Sequence, residues 1–247
     1  MSKLSAIESA GEAGFMRGQI AQFRWKAPLS PIRNILCVGK NYAAHIKERT
    51  RIGDSMKPLE ATPIFFTKAT TSVIGSGESV IAWKSTSQVD YEAELAVVIG
   101  PGGRDIPKKE AIDHIMGYTL VNDVTARDLQ DAHRQWFRGK SLDTFCPLGP
   151  FIVTRDEVEW PININITLTV NGGLRQDFWT KDMIFDIPTI ISELSKSFTL
   201  LPGDVIATGT ADGCGAGLSP PSFLKLGDQV VIHCEQLGTL ENRVIAE

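Results

Sequence analysis

The stretch QVDYEAELAVVIG, residues 88–100, carries acids on three alternate positions, Asp90, Glu92 and Glu94, inside a run that otherwise has the composition of a buried strand. In a pleated strand, residues two apart share a face at a spacing of roughly 6.5 Å. The three carboxylates therefore point together, with Tyr91, Ala93, Leu95, Val97 and Ile99 opposite. Unpaired, they repel, and a cation, a basic neighbour or water must answer them. Carboxylate oxygens are hard ligands, and magnesium takes an octahedral oxygen set in which one or two carboxylates are joined by waters and substrate. Glu92 and Glu94 have the reach to supply two such ligands from one strand. A solvent-facing strand edge with hydrated acids accounts for the same spacing, because such alternation is ordinary in antiparallel sheets.

A second polar group follows in GYTLVNDVTARDLQ, residues 117–130, where Asn122 and Asp123 end an apolar strand and precede a helix beginning near Ala126. A strand end is a usual place for a metal carboxylate. Arg127, Asp128 and Gln130 fall on the first turn of that helix, where their polar ends could face the same cavity. Asp123 or Thr125 is also placed to cap it.

The elements that must hold these groups are mostly strands. Short β-rich runs bounded by turn residues recur at 35–38, 64–66, 95–99, 151–154, 162–170, 205–207 and 230–233. Ile162, Ile164, Ile166 and Leu168 alternate as a strand with one buried face. Helical signals are fewer: PKKEAIDHIMG, TARDLQDAHRQWF and DIPTIISELSKSF. The expected class is mixed α+β, mainly β, with a few short helices. LLPGDVIATG and LKLGDQVVIH both place Gly-Asp before an apolar run, which reads as a turn entering a strand and not as a repeat.

At 247 residues and 43% apolar, the chain can bury one large core or two small ones. Its net charge of -4 and scattered basic residues give no footprint for nucleic acid, so a small-molecule partner is expected. Cys37, Cys146, Cys214 and Cys234 form no C-x-x-C pair, as expected of reduced thiols. No apolar run has membrane-spanning length and the first residues do not resemble a signal peptide, so no membrane partner and a cytoplasmic location are expected. Residues 1–30 read as a separate arm or small strand extension with no assigned chemistry, ahead of a catalytic domain over 31–247.

The motifs VGKNYAAH, VDYEAELAVVIG, NDVTARDLQ, QWFRGKSLDTFCPLGP, VNGGLRQ and LLPGDVIATGT occur in the order found in the fumarylacetoacetate hydrolase superfamily, and the chain resembles its shorter branch from about Ile35 to the carboxy terminus. The resemblance implies a β-roll fold, a homodimer and a divalent-metal site. It places the metal ligands for Mg²⁺ or Mn²⁺ on Glu92, Glu94 and Asp123, and leaves Asp90 to a structural partner. It places the active-site lysine on Lys140, where an ammonium beside a metal-held oxyanion stabilises an enolate. His45 and Glu48 have the H-x-x-E spacing of the acylpyruvate hydrolase dyad, in which the carboxylate orients the imidazole to take a proton from water. Arg127, Gln130 and Thr210 match substrate-contacting positions, and Tyr42 and Lys68 are carried over on similar logic. The polar KERTRIGDSMKP after the dyad matches a lid. His114, His133 and His233 carry no assignment.

Two departures concern the substrate. The family commonly continues Lys-Pro where this chain has Lys68-Ala69, and T-G-T-P where it has TGTADGCGAG from Thr208 to Gly217, which frees the backbone around the expected carboxylate site. The implied activity is hydrolysis of a carbon-carbon bond in an acylpyruvate such as fumarylpyruvate, with His45 and Glu48 activating water and Lys140 stabilising the expelled enolate. The same platform supports decarboxylation of oxaloacetate-like acids and isomerisation or decarboxylation of the 2-hydroxymuconate type; a degenerate, non-catalytic member should have lost part of the set, whereas an unreactive oxo-acid-binding protein would retain the metal ligands.

Overall fold

The structure, a computed structural model, describes residues 25–51 and 62–247. Residues 1–24 of the expected arm and 52–58 of the expected lid lie outside the described residues. What is described of the arm is not separate, because Ala27 and Leu29 pack on the cluster formed by Ile35, Cys37 and Leu148.

Two curled sheets carry the fold. The first has seven strands: β1 (Ile35–Gly39), β2 (Ile64–Lys68), β3 (Val73–Ile74), β6 (Ala93–Ile99), β7 (Ile115–Asn122), β9 (Cys146–Thr154) and β12 (Val205–Ala207), in the order β2-β1-β12-β6-β7-β9-β3. The second has five: β4 (Ser79–Ala82), β10 (Asn165–Val170), β11 (Gly173–Trp179), β13 (Gln229–Cys234) and β14 (Gly238–Ala246), in the order β11-β10-β13-β14-β4. A two-stranded ladder of β5 (Val89–Asp90) with β8 (Thr125–Ala126) lies beside the site. Described helices are short: α1 (Ala43–Arg51), α2 (Arg127–Ala132), α3 (Phe137–Lys140) and α4 (Ile187–Ser195). The mainly β class with few helices holds, and no described helix is long and apolar enough to cross a membrane.

Sequence periodicity is well obeyed on the five-stranded sheet. Ile162, Ile164, Ile166 and Leu168 all turn inward, as alternation requires. The acid-bearing strand differs. β6 sits in the middle of its sheet between β12 and β7, so both of its faces are covered: Leu95, Val97 and Ile99 enter the main core, while Ala96 enters a second cluster with Ile35 and Val121. The acids are therefore not on a wet edge.

Helix expectations fared unevenly. DIPTIISELSKSF forms α4, with the Asp186 carboxylate accepting from the Thr189 N–H as N-cap and a proline in the first turn. PKKEAIDHIMG gives only a 3₁₀ segment, Lys108–His114, before β7 begins. TARDLQDAHRQWF breaks at His133 into α2 and the start of α3. α2 also lacks the expected cap: Ala126 holds the N-cap position, and the Thr125 hydroxyl donates to the Asp123 carbonyl instead.

Candidate active site

Glu92, Glu94 and Asp123 converge where β6 begins and β7 ends. Antiparallel register pairs Ala93 with Asn122 and Glu94 with Val121, which brings the Asp123 side of the turn against the strand acids. Ligand oxygens of the three carboxylates lie within 4.8 Å of one another, and all three residues are buried. The Glu92 N–H donates to the Asn122 side chain at 3.0 Å and the Asp123 N–H to the Glu92 carbonyl at 2.8 Å, so the backbone under the triad is fixed.

Asp90 leaves this group. The chain breaks from strand geometry between β5 and β6, and the Asp90 carboxylate accepts from Arg127 Nε (2.8 Å), Gly215 N (2.7 Å) and Ala216 N (3.1 Å). That is the structural partner expected of it.

Three cations answer the acids. Lys140 Nζ, delivered by α3, donates to Glu92 and to Asp123, each at 2.6 Å. Lys68 Nζ, at the end of β2, donates to the other Asp123 oxygen at 2.6 Å and to the Val124 carbonyl at 3.0 Å. The Arg127 guanidinium bridges Asp90 and Glu92, with its NH2 group 2.7 Å from Glu92 but not aligned for a hydrogen bond there. Burial acts to raise the Glu92 carboxyl, but Lys140 and Arg127 outweigh it and hold the group below the usual carboxylate range. Burial acts to lower the Lys140 ammonium, but Asp123 and Glu92 outweigh it and keep the group protonated. Glu94 is pushed well up, first by burial and then by the charges of Asp123 and Glu92. Among the described residues no lysine or arginine pairs with it, and it accepts from the Gly209 N–H at 2.7 Å.

That imbalance tests whether the residues fit a cation. Four carboxylates, with Asp90 included, face three basic side chains, and the excess negative charge falls on Glu94. The donor set is all oxygen. It fits a hard divalent ion such as Mg²⁺ or Mn²⁺, held by Glu92, Glu94 and Asp123.

The opposite wall comes from α1. Asn41, fully buried, donates to the Thr208 carbonyl at 2.8 Å and exchanges hydrogen bonds with the Phe185 backbone, which pins the turn that launches the helix. His45 lines the cavity and Glu48, one helical turn on, stands behind it off the cavity wall, with Nδ1 and Oε2 3.6 Å apart, an ion-pair contact that is too long for a hydrogen bond. Glu48 is anchored by its other oxygen to the Gly213 N–H at 3.0 Å. Gly213 holds φ at +95°, and a Cβ there would sit 2.0 Å from the Arg175 carbonyl, so glycine is required on both counts.

A cavity of about 250 Å³ lies between the walls, lined by His45, Glu92, Glu94, Arg127, Gln130, Lys140 and Thr210, with Phe66 and Trp136 as its aromatic side. These seven are sequence-predicted residues that the fold brings together. Gln130 accepts from Arg127 NH1 at 3.1 Å, which leaves its amide nitrogen as the end it can offer a substrate oxygen. Thr210 reaches the wall, but its hydroxyl already donates to the Ala93 carbonyl and accepts from Gln176. Its place on the wall agrees with the expected substrate contact, though its hydroxyl proton is already engaged.

Two other expected substrate contacts stand off the cavity wall. Lys68 is fully buried behind Asp123 and does not line the cavity, because the triad's charge draws its ammonium inward. Tyr42 packs edge-on against Phe178 with ring centroids 5.2 Å apart, and it too is off the cavity wall, its hydroxyl buried without a partner. Asp128 turns away from the site to Thr86 and Ser87. His133, unassigned from sequence, stands at the cavity with its ring nitrogen on the Leu129 carbonyl.

Sequence reasoning missed Gln176 and Cys214. Gln176 accepts from the Ala93 N–H and donates to Thr210 and the Ala211 carbonyl, bracing the acid strand against the following loop. Cys214 Sγ lies 3.9 Å from His45 Nδ1. The signal for Cys214 was the GCGAG departure itself. Gln176 closes the VNGGLRQ motif, which marked the segment without assigning the amide a role.

The chain belongs to the fumarylacetoacetate (FAA) hydrolase family: the model of that family's C-terminal domain matches residues 34–245. It is 46% identical to the oxaloacetate tautomerase YisK of Bacillus subtilis over 235 residues, 94% of this chain and 77% of that one. Among solved structures it is similar to a fumarylacetoacetate hydrolase from Exiguobacterium antarcticum, with TM-score 0.80, 46% identity, and coverage of 90% of this chain and 78% of that one. It is also similar to a 2-hydroxyhepta-2,4-diene-1,7-dioate isomerase from Mycobacterium marinum, with TM-score 0.79, 38% identity, and coverage of 92% and 80%. The tautomerase and the isomerase bear on the expectation of acylpyruvate hydrolysis, since neither name describes cleavage by water.

Proposed function

We propose that the protein interconverts keto and enol forms of a small 2-oxo dicarboxylic acid of the oxaloacetate type, rather than hydrolysing an acylpyruvate. The observation that carries this reading is Lys140, an ammonium fixed at 2.6 Å to two of three clustered carboxylates and facing the cavity. It is placed to stabilise charge on an enolate oxygen, the one demand common to every reaction of the platform. The similarity to an oxaloacetate tautomerase and to an isomerase supports an outcome without cleavage.

A divalent ion held by Glu92, Glu94 and Asp123 supplies positive charge for the carboxylate and 2-oxo oxygens of such an acid. Arg127 and Gln130 orient the remaining oxygens from the first turn of α2. His45 takes the proton from carbon 3, and Lys140 hydrogen-bonds the 2-oxygen as charge builds there. A proton then reaches that oxygen; one C–H bond is broken, one O–H bond is formed, and no water is consumed. Glu48, anchored at Gly213, stands 3.6 Å from the imidazole and orients it. The buried donors are already in position, so little reorganisation accompanies the transfer.

The test follows loss of the enol absorbance of oxaloacetate with Mg²⁺ or Mn²⁺ and with chelator, with pyruvate and CO₂ measured in parallel and fumarylpyruvate and acetylpyruvate as further substrates. Metal-dependent acceleration above the protein-free rate, without pyruvate, is expected. Pyruvate with fumarate or acetate from the acylpyruvates, and no effect on the enol, overturns the reading in favour of hydrolysis. Pyruvate and CO₂ from oxaloacetate overturn it in favour of decarboxylation.

A further inference from the structure

We propose that His45 Nδ1, Glu48 Oε2 and Cys214 Sγ form a second cation site, for a borderline-soft divalent ion of the zinc class, beside the hard all-oxygen site. One ligand atom from each residue lies within 4.8 Å of the other two, with His45 Nδ1 3.6 Å from Glu48 Oε2 and 3.9 Å from Cys214 Sγ. Tetrahedral zinc with bonds of about 2.0–2.3 Å to nitrogen, oxygen and sulfur holds its ligands about 3.3–3.6 Å apart, so the two spacings from His45 need to close by only a few tenths of an ångström, with Glu48 and Cys214 drawn together around the ion.

An independent feature points to a ligand. The Glu48 side chain is nine-tenths buried and its Oε2 has no hydrogen-bond partner, while Oε1 is tied to the Gly213 N–H. A buried carboxylate oxygen without a hydrogen bond carries a large desolvation cost, and the polar group beside it is the His45 imidazole at 3.6 Å. The surrounding backbone suits the arrangement. A Cβ at Gly217 would lie 1.9 Å from Glu48 Cδ, so the absence of a side chain there is what lets the carboxylate settle. One nitrogen, one oxygen and one sulfur match the donors zinc takes and mismatch magnesium, which demands oxygen. His45 also lines the cavity, which leaves a fourth position for water or a substrate oxygen.

On binding, the Cys214 thiol gives up its proton to solvent and the thiolate, imidazole and carboxylate close on the ion. Occupancy removes the lone pair of His45. The consequence that zinc inhibits the magnesium-loaded enzyme therefore rests on the proposed role of His45 as base, whereas the binding does not.

The experiment titrates Co²⁺, as a spectroscopic stand-in, into protein saturated with Mg²⁺, with no substrate present. A thiolate-to-cobalt charge-transfer band saturating at one equivalent and bleached by Zn²⁺ is expected. Cys214→Ser should lose the band, and both Cys214→Ser and Glu48→Gln should bind Zn²⁺ at least about tenfold more weakly, with Mg²⁺ binding unchanged in Cys214→Ser. Absence of the band, its survival in Cys214→Ser, or equal Zn²⁺ affinity in wild type and both variants overturns the site. Because all readouts are binding, that failure is separate from failure of the tautomerase assay.

Discussion

The two walls of the cavity are built on opposite terms. The strand wall, with Glu92, Glu94 and Asp123 on β6 and β7, is buried on both faces and cross-linked by Lys68, Arg127 and Lys140 at 2.6–2.8 Å. The helix wall, with His45 and Glu48 on α1, touches its neighbours at 3.0–3.9 Å and depends on a glycine-rich loop for support. Buried ion networks are costly to assemble and fail badly when one partner is removed, whereas a group held by one or two longer contacts can be changed with little loss of fold. In the strand wall, chemistry and stability are thus the same interactions. In the helix wall they are separable.

The largest effect should come from Glu92→Ala. It removes a metal ligand and one of the two carboxylates that each of Lys140 and Arg127 contacts, so activity and metal binding are lost and stability falls by about 1–3 kcal/mol, read by calorimetric metal titration and denaturant unfolding. A variant that binds metal normally would break the assignment of the triad. His45→Ala comes next. It should cut turnover by about 10²–10⁴-fold while unfolding stability and Mg²⁺ binding stay near wild type; a stability loss as large as that of Glu92→Ala would erase the contrast between the walls.

Legibility followed the same division. Spacing survives in one dimension, so it placed Glu92 and Glu94 on one face, but it was the family motifs that added Asp123 and chose a metal site over a wet strand edge. The alternation of Ile162 to Leu168 was readable for the same reason, since period and burial agree. What the sequence did not disclose was the direction of long side chains whose partners come from distant segments. Lys68 reads as a substrate contact until the fold shows Asp123, 55 positions away, drawing it behind the triad. Thr210 reads as a free hydroxyl until Gln176 and the Ala93 carbonyl occupy it. Asp90 looked equivalent to Glu92, and only the loop at Gly215 and the first turn of α2 separate them. The break between α2 and α3 was also hidden, because it is α3 that must swing Lys140 into the acids.

Gly217→Ala sharpens the comparison from the helix side. The atom its new Cβ would meet is the far end of the Glu48 side chain, which can rotate away. Unfolding stability should therefore change by less than about 1 kcal/mol, while turnover falls toward the level of Glu48→Ala; turnover equal to wild type would show that the Glu48 position is unimportant.

The smallest effect is expected at Asp128, which belongs to neither wall but clips the loop before β5 to α2. Its carboxylate accepts from Thr86 Oγ1 (2.6 Å), the Ser87 N–H (2.9 Å) and the Leu129 N–H (2.9 Å). Burial acts to raise its pKa, but these donors outweigh it and the value is lowered. A depressed carboxyl contributes stability that is fully present above its unfolded pKa of about 3.9 and is lost as pH falls through the folded value. Because the group is largely solvated, Asp128→Asn should cost less than about 1 kcal/mol at neutral pH, and the gap to wild type should close as pH drops below the normal carboxylate range. Denaturant unfolding of both proteins at neutral and acid pH measures it. A gap that widens in acid would show that the clip acts through something other than the Asp128 charge, and the loop would then have to be held by contacts on the strand side.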